Sequence, residues 1–205
     1  MKAVVVNYGV GNLFSIVSSL RRVGFDVDVK DSFNTIQRGY DLIVFPGVGT
    51  FKAVARYLRE RADVFEDIRS RGVYFLGICL GMQIMFEYGF EGGLHSGLGW
   101  FKGYVDRLGT NLKLPHIGWS RIYAAENADK ICEIFNDING SYVYFIHSYA
   151  AYPADSTIVC MVSHYGTRFP ALIARGNTVG TQFHPEKSGK VGLTFLATLY
   201  RWIRC

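Results

Sequence analysis

The residues from Val73 to Gln83 read VYFLGICLGMQ, and this stretch decides the fold. An apolar run of strand type ends in a G-x-C-x-G turn around Cys79, and a helix-compatible segment follows from Met82 to Tyr88. This order predicts a nucleophile elbow, a sharp strand-to-helix turn that holds a nucleophile at its tip. The glycines permit close backbone contacts, and the amides after the tip can stabilise a thiolate or an oxyanion. Taken alone, the pattern also fits a buried structural cysteine.

Length and composition predict one globular domain over residues 1–205. Hydrophobic residues make up 49% of the sequence and charged residues 19%, which suits a chain with a sizeable core. The net charge of +5 is mild and no block of basic residues occurs, so no nucleic-acid binding is predicted. No apolar run approaches the length of a membrane span, and the amino terminus enters a strand without a targeting signal.

The four cysteines are Cys79, Cys132, Cys160 and Cys205. Their wide spacing matches neither a zinc site nor a redox pair. We therefore predict free thiols in a reducing compartment, the cytoplasm, with at most one functional cysteine among them.

The first half of the sequence alternates short apolar runs with amphipathic segments. This alternation predicts an α/β fold with a mostly parallel central sheet and helices on both faces. The second half adds antiparallel strands and a closing amphipathic helix. The predicted elements are strands over Ala3–Val6, Val27–Val29 and Asp41–Phe45, one helix from Phe51 to about Arg71, a short helix within Asn127–Phe135, and strands over Tyr142–Ile146, Thr157–Val162, Ala171–Arg175 and Val179–Phe183.

Two glycine-containing loops follow predicted strands. Residues 7–12 read NYGVGN, which lacks the third glycine of a dinucleotide-binding loop and fits a tight turn or an interface better. Gly47, Val48 and Gly49 lie in a PGVG loop after the strand that ends at Phe45, where backbone amides could approach a ligand. An ordinary βα turn is the simpler explanation of this second loop when it is considered alone.

A thiol nucleophile needs a base to accept its proton and a group that orients the base. His184 follows the last predicted strand, at the sheet edge where Cys79 is expected. Pro185 restricts the next turn, and Glu186 can reach back to the imidazole. An isolated HPE segment is more often structural, but the elbow cysteine makes a Cys79–His184–Glu186 triad the better interpretation.

These motifs resemble the class I, triad-type glutamine amidotransferases. The resemblance is carried by GICLGMQ at 77–83, PGVG at 46–49 and FHPE at 183–186. More narrowly, NYGVGN at 7–12, PHIGW at 115–119, YFIHSY at 144–149 and HPEKSG at 184–189 are similar to the glutaminase subunits of imidazole glycerol phosphate synthases. Ser120 stands where that family usually has Asn, which affects one expected interface hydrogen bond and not the chemistry.

The resemblance implies a flavodoxin-like fold and a role for each motif residue. Cys79 would attack the side-chain amide of glutamine, His184 would transfer protons and Glu186 would orient His184. No metal or cofactor is implied. The remaining residues would form the oxyanion hole and hold the amino-acid end of L-glutamine, and they are Gly47, Val48, Gly49, Leu80, Gln83, His147, Ser148 and Tyr149.

Ammonia released from glutamine must be captured, and the predicted fold uses the whole chain without leaving a second substrate site. The acceptor site is therefore expected on another chain. The resemblance implies a heterodimer with a cyclase subunit, a (β/α)8 barrel that uses the ammonia in histidine biosynthesis. The residues expected to face this partner are Tyr8, Asn12, Trp119, Tyr144 and Lys187, although each also fits plain surface or packing.

Three alternatives stay open at the level of sequence. The chain could feed ammonia to another synthase, for sugar modification, anthranilate or pyridoxal phosphate. It could be a cysteine hydrolase or peptidase of similar fold, which should lack Gln83 and the HSY segment at 147–149. It could also be a binding module without activity, but a module of that kind has little reason to retain Cys79, His184 and Glu186 together.

Overall fold

The fold is taken from a computed structural model that describes residues 1–9, 13–31, 39–47 and 49–204. The predictions made for Asn12, Val48 and Cys205 lie outside the described residues. Within the described ranges, no helix is long and apolar enough to cross a membrane.

The amino-terminal half builds the parallel part of the main sheet. Its strands lie close to the predicted positions. The runs Ala3–Val6 and Leu42–Phe45 are buried on both faces, whereas Asp26–Lys30 is mostly exposed. Alternate residues point to opposite faces, so Val5 contacts one core layer and Val4 the other. The elements are β1 (Lys2–Val6), α1 (Phe14–Arg22), β2 (Asp26–Lys30), β3 (Leu42–Phe45), α2 (Phe51–Arg59), α3 (Ala62–Ser70) and β4 (Tyr74–Ile78).

The single long helix predicted from Phe51 to Arg71 is wrong, because the segment forms two helices, α2 and α3. The break falls at Arg61, whose backbone leaves the helical region with φ −131° and ψ 11°. The resulting change of direction lets the Phe65 ring pack edge-on against Phe45, with ring centroids 5.0 Å apart. Tertiary packing thus overrides a sequence that contains no helix-breaking residue here.

The helix predicted from Met82 to Tyr88 is also largely wrong. Helix α4 covers only Leu80–Gln83, and the chain then enters a strand, β5 (Phe86–Gly89). Phe86 is fully buried and lies against Phe101, so a second sheet forms beside the main one. This sheet has the order β10-β7-β5-β6, and its other strands are β6 (His95–Ser96), β7 (Phe101–Arg107) and β10 (Tyr149–Pro153).

The carboxyl-terminal half adds the antiparallel strands of the main sheet. The segment around Trp119, which was not assigned a structure from the sequence, forms the long strand β8. The predicted short helix is a 3-10 helix over Lys130–Ile138. The remaining elements are β8 (His116–Ala124), β9 (Tyr142–His147), β11 (Val159–His164), β12 (Arg168–Arg175), β13 (Thr178–Thr181) and α5 (Gly189–Arg204).

The main sheet has the strand order β2-β1-β3-β4-β13-β12-β11-β8-β9. Strand β4 pairs in parallel with both β3 and β13, so the elbow lies at the centre of the sheet. From β13 to β9 the pairing is antiparallel. The predicted α/β class, with a parallel centre and antiparallel strands from the second half, is confirmed.

The prediction that all cysteines are free thiols is wrong for two of them. Cys132 and Cys160 are both buried and form a disulfide, whereas Cys79 is free. The bond joins the 3-10 helix at Lys130–Ile138 to β11 across 28 residues of sequence. Sequence spacing did not reveal it, because the fold brings together cysteines from separate elements.

We predict that loss of this disulfide destabilises the fold. Closing a loop of this length restricts the unfolded chain, and the double variant Cys132→Ala/Cys160→Ala should lose about 2–4 kcal/mol of unfolding free energy. Urea titration measured with and without a reducing agent tests this. The reductant should lower the stability of the parent chain but leave the double variant unchanged. Equal stability of parent and variant would contradict the prediction.

Candidate active site

Cys79 lies at the tip of the elbow in a strained backbone conformation. Its φ is 50° and its ψ is −106°, and among the described residues it is the one non-glycine with positive φ. The conformation is held on both sides, because the Cys79 amide donates to the Thr181 carbonyl at 2.6 Å and the chain continues into α4. The thiol therefore projects from the carboxyl edge of the parallel strands, where α/β folds build their sites.

Three glycines make this geometry possible. A Cβ on Gly81 would lie 2.0 Å from the Phe45 carbonyl oxygen, and one on Gly77 would lie 2.5 Å from the Gly81 oxygen. A Cβ on Gly47 would lie 2.8 Å from the Cβ of Cys79 and 3.1 Å from Cε1 of His184. Glycine at these positions is thus a steric requirement of the elbow and of the loop beside it.

His184 and Glu186 lie against the cysteine as the sequence predicted. The Nδ1 atom of His184 is 2.8 Å from Oε1 of Glu186, and both side chains are almost fully buried. Cys79 lies close enough to His184 to raise the pKa of the imidazole, and because Nδ1 is engaged by Glu186, Nε2 is the ring nitrogen available to the sulfur. The other carboxylate oxygen of Glu186, Oε2, is buried and has no hydrogen-bond partner among the described residues.

Burial and the two partners of His184, Cys79 and Glu186, shift its pKa in opposite directions. Burial is the largest influence and lowers the pKa, but the hydrogen bonds and charges of Cys79 and Glu186 outweigh it and raise the pKa to about 10. His184 is therefore a cation at neutral pH. Such a cation favours a thiolate next to it and can give a proton to a leaving group.

A cavity of about 140 Å³ opens beside the thiol. It brings together the predicted binding residues that the structure describes, from the PGVG loop, the elbow and the turn between β9 and β10. It also contains Glu91 and Ile146, which were not predicted; Oε2 of Glu91 accepts a hydrogen bond from the Phe51 amide at 2.8 Å. The lining residues are Gly47, Gly49, Cys79, Leu80, Gln83, Glu91, Ile146, His147, Ser148 and Tyr149.

A second cavity, of about 280 Å³, lies on the other side of Gly47 and Ile146. These two residues line both cavities, so they form the wall between them. The second cavity is bordered by the triad residues His184 and Glu186 and by the exposed Lys187. The site is therefore accessible from two directions, with the triad between them.

Gln83 does not point freely into the first cavity. Its side-chain Nε2 donates to the Tyr149 carbonyl at 2.8 Å and to Oε1 of Gln182 at 2.9 Å. Gln182 was not predicted as a site residue, although it directly precedes the FHPE segment. It is fully buried, and its own Nε2 lies 3.4 Å from the sulfur of Cys79.

Two buried histidines, His147 and His116, support the turn between β9 and β10. Nδ1 of His147 lies 2.9 Å from the Tyr149 carbonyl, and Nε2 of His147 lies 3.1 Å from Nδ1 of His116. Nε2 of His116 in turn lies 2.9 Å from the Ser120 hydroxyl. The carbonyl can only accept, so His147 donates to it, His116 donates to His147, and Ser120 donates to His116. His116 was missed because a lone histidine in a strand carries no functional signal.

The residues predicted to face a partner occupy different environments. Trp119 on β8 is 54% exposed and packs edge-on against Tyr144 on β9, with ring centroids 5.7 Å apart. Lys187 is exposed and lies three residues after His184, whose amide donates to the Tyr144 carbonyl. Tyr8 differs, since its ring packs against Tyr57 and its hydroxyl is buried without a hydrogen-bond partner among the described residues.

We predict that folding stability falls between neutral pH and about pH 5 because of the His116–His147 pair. Burial lowers the pKa of each histidine to about 4, so in this pH range the histidines of the unfolded chain bind protons and those of the folded chain do not. The contribution of these neutral histidines to folding stability is complete above their pKa of about 6.5 in the unfolded chain. It decreases as the pH falls, and the loss is about 2 kcal/mol per histidine at about pH 5. Denaturant unfolding at several pH values measures the loss.

The control for this prediction is His164→Ala, which removes an exposed histidine and should keep the full pH dependence. Stability that stays constant over this pH range would contradict the proposed burial of two neutral histidines.

We also predict that Glu186→Gln lowers the pKa of His184 from about 10. The variant removes the negative charge while it keeps the side-chain shape, so the drop should be about one pH unit or more. An NMR titration of the His184 imidazole measures it. Glu66→Gln, which changes an exposed carboxylate paired with Arg69, should leave the His184 titration unchanged. An unaltered titration in Glu186→Gln would contradict the coupling.

Comparison with known proteins identifies the family of this chain. The class-I glutamine amidotransferase family model matches residues 4–199. The imidazole glycerol phosphate synthase subunit HisH of Saccharolobus solfataricus is 52% identical over 204 residues, and that of Sulfolobus acidocaldarius is 54% identical over 205 residues, with 100% of each chain covered. A crystal structure of a glutamine amidotransferase shares the fold, with TM-score 0.71 and 17% identity over 98% of this chain and 96% of that one.

These findings confirm the family resemblance read from the motifs. The match covers the whole chain and includes the elbow, the PGVG loop and the FHPE segment. The chain therefore belongs to the class-I glutamine amidotransferases and, within them, to the HisH subunits of imidazole glycerol phosphate synthase.

Proposed function

We propose that this chain hydrolyses L-glutamine to glutamate and ammonia with the Cys79–His184–Glu186 triad and passes the ammonia to a cyclase subunit. The observation that carries the proposal is the strained Cys79, next to a His184 whose pKa is raised to about 10, at the wall of a cavity about 140 Å³ in volume. A nucleophile, a proton donor and a small binding site beside them are the elements that amide cleavage requires.

The first half of the reaction forms a thioester. The thiolate of Cys79 attacks the side-chain carbonyl carbon of glutamine, so that a C–S bond forms and the carbonyl oxygen takes the negative charge. Leu80, Gly47 and Gly49 line the cavity, and their backbone amides would donate to this oxygen. When the tetrahedral intermediate collapses, the C–N bond breaks and His184 gives its proton to the departing nitrogen, which leaves as ammonia.

The second half releases glutamate. Neutral His184 accepts a proton from water, and the hydroxide adds to the thioester carbon. Collapse of this intermediate breaks the C–S bond and restores the Cys79 thiolate beside the His184 cation. Glu186 keeps the imidazole oriented through both steps by its 2.8 Å contact to Nδ1.

The polar lining of the cavity suits the amino-acid end of glutamine. Glu91 offers a carboxylate to the α-ammonium group, and Ser148 and Tyr149 offer backbone groups from the turn after β9. Gln83 and His147 act indirectly, because both donate to the Tyr149 carbonyl and so hold this turn in place. We thus propose that Gln83 and His147 do not bind glutamine directly but hold the part of the cavity wall at Tyr149 in position.

The second cavity is a suitable exit for ammonia. It borders the triad from the side opposite the glutamine cavity and includes Lys187. The exposed Trp119 packs on the half-buried Tyr144, which is linked to this region by the hydrogen bond from the His184 amide to the Tyr144 carbonyl. We propose that this face, defined by Trp119, Tyr144 and Lys187, binds the cyclase, a (β/α)8 barrel, in a heterodimer, and that cyclase loading raises glutaminase activity.

A glutaminase assay on the purified chain, alone and with its candidate cyclase and the ribotide ligand, tests the function. Glutamate release should be slow alone and rise roughly 10-fold or more with the loaded partner. Cys79→Ala should fold normally and lose about 10⁴-fold or more of the activity, because the nucleophile is absent. Fast release that ignores the partner would overturn the coupling, and activity that survives in Cys79→Ala would overturn the nucleophile.

A further inference from the structure

Gln182 is a buried polar residue that the triad does not account for. It lies between β13 and the triad histidine, its side chain is completely shielded from solvent, and its backbone amide donates to the Ala171 carbonyl at 2.9 Å. An amide side chain at such a position must satisfy its polar atoms inside the protein, or it costs stability. Its contacts therefore reveal what the residue does.

The orientation of the Gln182 amide is determined by its neighbours. The Tyr149 carbonyl can only accept, so the nitrogen of Gln83 faces it. The same Gln83 nitrogen also donates to Gln182, at 2.9 Å, so the oxygen of Gln182 must face Gln83. The nitrogen of Gln182 is then left to face the sulfur of Cys79, at 3.4 Å. The orientations of the Gln83 and Gln182 side-chain amides thus both follow from the Tyr149 carbonyl, which can only accept.

The sulfur of Cys79 has a different partner in each protonation state. A thiol can donate to the Ile146 carbonyl, which lies 3.6 Å from the sulfur. A thiolate has no proton to donate, so that carbonyl then only repels it. The N–H of Gln182 has the opposite effect, because a hydrogen-bond donor stabilises an anionic thiolate more than a neutral thiol. Gln182 thus favours the charged form.

We infer that Gln182 is a catalytic residue that stabilises the Cys79 thiolate by donating a hydrogen bond to its sulfur. This role rests on the proposed function, in which the thiolate attacks glutamine and re-forms when the thioester is hydrolysed. Gln182 transfers no proton itself; the proton of Cys79 goes to His184. Gln83 takes part indirectly, because it keeps the donor end of Gln182 turned toward the sulfur.

The test uses two variants of similar shape, Gln182→Met and Gln182→Glu. Met removes the donor without adding charge, whereas Glu removes the donor and places a carboxylate beside the sulfur. The matched control is Ser163→Ala, which deletes a buried hydrogen bond to the Arg121 carbonyl on β8, outside the site. Circular dichroism and thermal unfolding establish which variants are folded.

The readout is alkylation of Cys79 by iodoacetamide over a pH series, quantified by mass spectrometry of the Cys79 peptide. Only the thiolate reacts, so the pH profile reports its population directly. We expect the rate at neutral pH to fall about 10-fold in Gln182→Met, with the profile displaced to higher pH. Gln182→Glu should show a larger displacement, and Ser163→Ala none.

Two results would overturn the inference. If folded Gln182→Met and Gln182→Glu both keep the parent pH profile, Gln182 is only a packing residue. If Gln182→Glu reacts faster than Gln182→Met, the interaction with sulfur is not electrostatic. Because the assay needs no glutamine, a displaced profile in a chain without glutaminase activity would support Gln182 while refuting the proposed function.

Discussion

The site depends on the close approach of three backbone segments around Cys79. Strand β4 delivers the cysteine between β3 and β13, and the turn into α4 forces its φ to 50°. That turn exists only because Gly77 and Gly81 have no Cβ to collide with the neighbouring carbonyls. Gly47 then admits the loop after β3 close to both Cys79 and His184. Strands β3 and β13, which flank β4 and are fully buried, supply the packing that keeps this strain in place.

Around this elbow, the protein places buried ionisable groups in two opposite states. The pKa of His184 is raised because Cys79 and Glu186 outweigh its burial. The pKa values of His116 and His147 are lowered because burial dominates, even though the bond from His147 to the Tyr149 carbonyl opposes it. The His184 cation lies beside Cys79, the proposed nucleophile. The neutral pair belongs with the turn after β9, which it supports by a directed chain of hydrogen bonds. Charge is thus confined to the side of the site where bonds would break.

Much of the fold was predictable, because its strands are apolar runs of a length and spacing that suit a parallel sheet. The errors occurred where local sequence was ambiguous. The segment from Phe51 to Arg71 contains no breaker, so its sequence did not predict the division that places Phe65 against Phe45. The short α4 gives way to β5 because Phe86 is needed in a second core contact. The disulfide joins cysteines whose spacing carried no signal.

The sequence by itself determined the family and the elbow and led to the proposed triad, because these depend on short motifs with glycine at defined positions. It also identified Gln83, His147 and Tyr149 as members of one site. The tertiary structure alone decided their contacts: that Gln83 and His147 hold a carbonyl, that Glu91 enters the cavity, and that Gln182 reaches the sulfur. The physical reason is distance along the chain. Gln182 and Cys79 are 103 residues apart, and only the pairing of β13 with β4 brings them together.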